Sequence, residues 1–600
     1  MTKKGTVPIS AIAFGAALAL SLCTLQMGLA VDDWGQVLRA RGQLPHFGGA
    51  SWDLYRFTGE SREAFERTIE DGPFPWWTYR EMRVGFFRPL SSALILFDVN
   101  VIGDHVWLWH LHSIAWYLAL LALVLMLYRR VLPDPTRRGA GGPSPPSDAR
   151  PRVGAGELAL LFFAIDDAHW MPAGWLANRN ALVAAVPAVA GLLLHLQWRE
   201  KGWRPGLPLS LLAYAAALCG GESALGALAY VVTYELLDVR REPLGRRALA
   251  VLPLFVVVLA WAVVYRALGY GAHGSAIYID PVGEPLEYLR VAPLRILGML
   301  GSLTLGVSTD TWMFLDRGRF LLATGGVLGV VLFALWLRRA RGAWTDDEWA
   351  RLRWLMVSAV LGLIPVASTF PMERLLMMPS IGAAAIVGCL LHALWRDRSA
   401  MARVAKAWLI VAHAVAPLPP WIVSPYFFAV GSDYVARAVN HGDLDSQKLA
   451  GRVVVVAGPD PVASLYGGFS RILQGLPASK SWVTLSFAPY DHRLTRVAEN
   501  AFELEVVGGS MLETTMEQLM RHPRFPLAPG FTSKLSGLTV TLLEATDGRP
   551  TKIRADLTED VALMHWRDRR LRHLTLPAVG ESVLIPHDDT PFDVISNLLR

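Results

Sequence analysis

Residues 248–268 read ALAVLPLFVVVLAWAVVYRAL, and they follow VRREPLGRR at 239–247. A hydrocarbon core about 30 Å thick needs about 20 consecutive apolar residues in helical form, and this stretch supplies them. The four arginines before it, Arg240, Arg241, Arg246 and Arg247, mark a cytoplasmic loop, because basic residues next to a membrane helix stay on the inside. This unit of apolar block and arginine-rich loop recurs through most of the chain.

Working outward, an apolar run from Val7 to about Ala30 reads as an uncleaved first membrane helix, too long for the core of a signal peptide. Further membrane helices are expected at about 105–128, 156–172, 177–198, 207–219, 222–238, 248–268, 319–337, 352–370, 374–395 and 404–424, giving eleven crossings. With a cytoplasmic N-terminus, the loops at 129–155, 199–206, 239–247, 338–353 and 396–406 are inside, and each is rich in arginine. The short outer turns carry only Arg179 and Arg374. Two more apolar stretches, 90–103 and 289–307, would break this parity and are expected to lie on or dip into the outer face. The stretch GAGGPSPPSDARP at 139–151 reads as a flexible cytoplasmic linker.

Composition agrees. The chain of 600 residues is 53% hydrophobic and 18% charged, with a mean hydropathy of +0.34, against about 25% charged in an average soluble domain. The net charge of +6 resides in the short loops, so it signals topology and excludes a nucleic-acid partner. Cys23, Cys219 and Cys389 all belong to apolar segments, which excludes a disulfide framework or a CxxC metal site.

After about residue 430 the pattern changes. GRVVVVAGP (451–459) reads as a buried strand followed by a helix, and LTVTLLEATDGRPTKIRADL (538–557) as a hairpin turning at Asp547-Gly548. The expected fold is therefore an α-helical polytopic membrane protein with a C-terminal soluble domain, mixed α/β or mostly β. The transmembrane domain takes 1–429, with a long first outer loop at 31–104. The domain at 430–600 is outside the cell or in the periplasm, and the membrane is a bacterial plasma membrane.

The first outer loop opens on Asp32-Asp33. Two adjacent carboxylates at the end of a membrane helix need water, a cation or a substrate, or else they cap the helix that follows, GQVLRARG. The same face carries Arg88, Asp166-Asp167, His169, Trp175, Arg179, Glu222 and Glu373-Arg374. Each has an ordinary structural reading: arginines snorkel to headgroups, and Glu222 complements a helix N-terminus. Together they suit a site that holds an anionic phosphate and manages a proton.

In order and register these motifs resemble the GT-C superfamily of integral-membrane glycosyltransferases, specifically the branch of protein O-mannosyltransferases and multi-pass TPR-containing transferases. The residues are the acidic pair Asp32-Asp33, then Arg88-Pro89-Leu90, then Trp109-His110-Leu111-His112. Next come Phe163 to Met171 with Trp175 and Arg179 in register, Gly221-Glu222, and Glu373 to Ser380. The resemblance covers about residues 10–425. Where the family has His-Pro this chain has Asp166-Asp167. Met171 replaces a glutamate and Gly221 a lysine, and no TPR array follows.

The resemblance implies inverting transfer of a sugar from a polyprenyl-phosphate carrier to a protein or glycan acceptor on the outer face. It implies Asp32 or Asp33 as the base and Arg374, Arg179 and Arg88 as ligands of the donor phosphate. Asp166, Asp167, His169, Trp175, Glu222, Glu373 and His110 would line the cavity. The pair Asp32-Asp33 leaves room for Mg or Mn, although adjacent carboxylates alone are not a coordination set. A transporter, or an inactive binding protein for lipid-linked glycans or envelope polymer, is the alternative.

Overall fold

A computed structural model describes residues 8–44, 50, 52–133, 154–237, 242–313, 318–440 and 445–588. The linker expected at 139–151 lies outside them. The chain divides into two compact units: 1–28, 87–268 and 288–427 form a helical unit, and 29–86, 269–287 and 428–600 form a β-rich one.

The helical unit identifies the chain as a membrane protein. Eight of the described helical segments are long and apolar enough to cross a bilayer: Ile9–Gln26, Val106–Val131, Leu176–Lys201, Leu244–Ala267, Gly318–Ala343, Asp346–Val366, Met377–Leu394 and Ala400–Asn440. Each of the eleven expected crossings coincides with helix, but three are shorter than a span. Gly206–Gly220 and Leu225–Leu236 are short helices. The segment expected at 156–172 is broken. Its helix Ala155–Ile165 is about 16 Å long at 1.5 Å per residue. It is followed by a tight turn, Asp167–His169, and a short helix, Trp170–Gly174.

A broken helix survives in an apolar setting only when protein surrounds it, and this one is surrounded. Ala159, Phe163 and Ala164 are buried. The helix Met377–Leu394 approaches so closely that a Cβ on Gly388 would fall 2.6 Å from the Ala159 nitrogen. The stretch expected at 90–103 is a helix, Pro89–Phe97, that ends in a wider turn at Asp98–Ile102. The stretch at 289–307 belongs to the helix Pro285–Leu305.

The β-rich unit holds two larger sheets. In the four-stranded one the order is Arg570–His573, Ala562–Arg567, Arg452–Ala457, Ser481–Thr484. Its last three strands are parallel, and the helices Pro461–Leu465 and Gly467–Leu473 make the crossover. The six-stranded sheet is antiparallel and contains the hairpin Leu538–Thr546 to Arg549–Leu557. Asp547 (φ 51°) and Gly548 (φ 75°) turn it, the two positive φ values a tight hairpin needs.

The grouping of 31–104 with the transmembrane domain is corrected here. Residues 29–86 are built into the β-rich unit. Trp76 and Trp77 are 0% exposed in a core with Val454, Leu485, Phe487 and Val540. Trp76 Nε1 donates to Leu485 O at 2.9 Å, and Trp482 N donates to Asp71 O at 2.8 Å. Alternating apolar strands build one face of this core, and the loop's aromatic residues fill the rest.

Candidate functional site

Within the helical unit the motif residues separate into three groups. In the first, Asp98 and Arg179 form a buried ion pair, 1% and 2% exposed. Arg179 Nε also donates to Ser113 Oγ at 2.8 Å, and another guanidinium nitrogen donates to Trp109 O at 2.9 Å. His112 Nδ1 lies 2.8 Å from the second Asp98 oxygen. Arg179 is thus enclosed by partners of the fold. Asp98 was missed, although a single carboxylate inside the apolar stretch 90–103 is itself a signal, since it needs a cation when desolvated. His110 is also interior, with Nε2 3.1 Å from Gly28 O.

In the second group Arg88 Nε donates to Glu222 Oε2 at 2.7 Å, so two motifs 134 residues apart meet. Next to them Ser91 Oγ donates to Gly220 O at 2.6 Å.

The third group is a cleft holding about 680 Å³ of open space, lined by Asp166, Asp167, Glu373, Ser302, Ser308 and His413 among others. The break after Ile165 places Asp166 and Asp167 in its lining. Asp166 caps the turn: its Oδ1 accepts from Ala168 N at 2.9 Å. Glu373 is buried and accepts from Thr309 N at 2.6 Å and Ser302 Oγ at 2.7 Å. Asp167 is partly exposed, and among the described residues no other side chain or backbone group of the neighbouring elements bonds its carboxylate. His169 lies behind the wall, with Nε2 3.0 Å from Ser380 Oγ and Nδ1 3.3 Å from Tyr117 Oη. This joins the segment after residue 163 to the one after 373. Arg374 lies over the Trp175 ring, 5.1 Å from its centroid, a cation–π contact. Its Nε is buried without a hydrogen-bond partner among the described residues.

Asp32 and Asp33 belong to the β-rich unit, in the first turn of the helix Asp32–Ala40. Asp33 is buried, and its Oδ2 accepts from Ala30 N at 3.0 Å. The side chain thereby ties the first turn of the helix to the chain that enters it. Asp32 Oδ1 accepts from Tyr466 Oη at 2.7 Å. Burial, then the Asp32 charge, push the Tyr466 hydroxyl well above its ordinary pKa, so it remains a donor. The two carboxylates are committed to different partners. Among the described residues no group of three or more His, Cys, Asp or Glu could hold a metal ion.

The β-rich unit also contains a serine–histidine pair that the sequence did not reveal. Ser486 Oγ lies 2.8 Å from His492 Nε2. Both are buried, and burial lowers the imidazole to about 4. Without access to solvent the pair is part of the core.

No protein-family model and no curated protein matches the chain. Among solved structures, ArnT from Cupriavidus metallidurans bound to undecaprenyl phosphate is similar at 12% identity, covering 78% of this chain and 85% of that one, with a TM-score of 0.39.

Proposed function

We propose that the protein transfers a sugar from a polyprenyl-phosphate donor to a hydroxyl acceptor, with inversion, at the cleft lined by Asp166, Asp167 and Glu373. The observation that carries this reading is convergence. Segments near residues 166–175 and 373–380, which resemble glycosyltransferase motifs, supply an uncommitted carboxylate and a stacked arginine to the same neighbourhood.

The chemistry follows from these groups. The acceptor oxygen attacks the anomeric carbon, the bond from that carbon to the phosphate oxygen breaks, and the acceptor proton passes to a carboxylate. We assign that proton to Asp167, since Asp166 and Glu373 are held by hydrogen-bond donors of the fold. General-base help contributes about 100- to 10,000-fold. The leaving phosphate gains charge as the bond breaks, and the Arg374 guanidinium, held by Trp175, is the fixed cation that receives it. Arg88 and Arg179 maintain the scaffold through Glu222 and Asp98. The positive-inside pattern supports an outward-facing cleft in a bacterial plasma membrane, testable with topology reporters after residues 140 and 440, which should report opposite sides.

The functional test is reconstitution in lipid vesicles with a polyprenyl-phosphate-linked hexose, with release of polyprenyl phosphate followed by mass spectrometry. Asp167→Asn should lower turnover at least 100-fold while leaving the donor bound. Arg374→Ala should weaken donor retention itself. Wild-type turnover in Asp167→Asn would reject the base assignment, and absence of release by the wild type would reject the reaction.

A further inference from the structure

The β-rich unit contains a second pocket, holding about 500 Å³ of open space. Its walls are apolar, with Leu54, Phe57, Phe74, Leu465, Phe469 and Met520 among them. The helix Asp32–Ala40 supplies its polar side, because Asp32 and Gln36 are four residues apart and therefore share a face. Gln36 is 2% exposed, and its Nε2 has no hydrogen-bond partner among the described residues. A buried amide donor left unpaired is costly, and neither Asp32 nor Tyr466, which line the same pocket, is bonded to it. Arg39 fixes the helix by donating to Arg56 O and Asp53 O, both at 2.9 Å. Position 35 beside Gln36 is glycine, and a Cβ there would make only an ordinary contact with Phe469 Cε2, at 3.6 Å, so only a larger side chain would fill the opening.

We infer that this pocket binds a neutral acyl group, with the hydrocarbon against the aromatic and aliphatic walls and the carbonyl oxygen accepting from Gln36 Nε2. Asp32 and Arg39 both line the pocket; the Arg39 guanidinium is engaged by the carbonyls of Arg56 and Asp53, while the Asp32 carboxylate, held by Tyr466, disfavours a free carboxylate or phosphate beside it. A neutral acyl carbonyl reaches such a site either as the amide of an acylated amino sugar or on an acyl lipid. Both present the same two features, an apolar body and one acceptor. This inference does not depend on the transfer reaction, because it concerns different residues and a binding event without chemistry.

The experiment uses the full chain in lipid nanodiscs with three diazirine probes of equal chain length: an N-methyl fatty amide, the hydrocarbon lacking the carbonyl, and the free fatty acid. Crosslinked peptides are identified by mass spectrometry. The amide should label peptides containing Phe74 or Phe469 about tenfold more than either other probe, the scale of one hydrogen bond to a buried donor. Gln36→Leu should remove the preference over the hydrocarbon while keeping apolar labelling. Gly35→Leu should block all labelling, and Phe469→Trp narrows the same space if the first variant does not fold. Competition by N-acetylglucosamine would identify a sugar-borne acyl group, and competition by the unlabelled fatty amide alone an acyl lipid. Equal labelling by amide and hydrocarbon in the wild type, or labelling indifferent to both filling substitutions, would overturn the proposal.

Discussion

The chain contains two adjacent-aspartate motifs, Asp32-Asp33 and Asp166-Asp167, and they divide their work in the same way. One carboxylate of each pair holds a backbone amide, Asp33 receiving Ala30 N and Asp166 receiving Ala168 N. The other faces a cavity. There the likeness ends. Asp32 is gripped by a tyrosine at the edge of an apolar pocket, whereas Asp167 lines a polar cleft with two further acids. The same dipeptide therefore acquires different chemistry from its surroundings: a held carboxylate sets electrostatic preference, and an unheld one can accept a proton.

The largest test of this contrast is to treat both cavity-facing acids alike. Asp167→Asn should cost at least 100-fold in turnover, and Asp32→Asn less than tenfold. The reverse order in the vesicle assay would transfer the base to Asp32. A stability effect of comparable size is expected at the buried pair. Asp98→Ala leaves Arg179 uncompensated, a loss of about 3–5 kcal/mol, visible as a lower melting temperature of the purified protein. Loss of activity at unchanged melting would show that Arg179 serves the substrate after all.

The β-rich unit should respond to acid through His492. Its folded value near 4 lies below the unfolded one of about 6.5, so the unfolded chain binds the extra proton between those values. Stability from this residue is complete above about pH 6.5 and declines toward pH 4, by at most about 3 kcal/mol. His492→Gln should flatten that part of the unfolding profile, and an unchanged profile would remove the residue from the account. The smallest effects belong to the acids that hold a backbone amide. Asp33→Ala and Asp166→Ala should each cost about 1 kcal/mol, measured by thermal unfolding.

The parts legible in the sequence are those fixed locally or by the bilayer. Apolar blocks and arginine loops announce helices because lipid demands long uninterrupted runs. Asp547-Gly548 announces its hairpin because two positive φ values need such residues. The break at Asp166 is not legible, since a long apolar run on both sides outweighs two polar positions. Asp98 was hidden inside a stretch judged by its average hydropathy, although its need for Arg179 is a pairing rule rather than an average. The union of 29–86 with the C-terminal strands was invisible for another reason: periodicity specifies which face is apolar, not which distant segment covers it.

That union has a consequence for the making of the protein. Trp76 finds its carbonyl partner 409 residues later, and Arg521 bonds Trp77 O across 444. At roughly 5–20 residues per second, synthesis of the intervening chain takes about 20–80 s. During that interval a segment bearing two core tryptophans waits while membrane helices are inserted one after another. The β-rich unit cannot close until its last strands emerge, so a stop codon anywhere before residue 485 leaves those aromatics without their core. Closure of the β-rich unit is therefore tied to the end of synthesis rather than to its beginning.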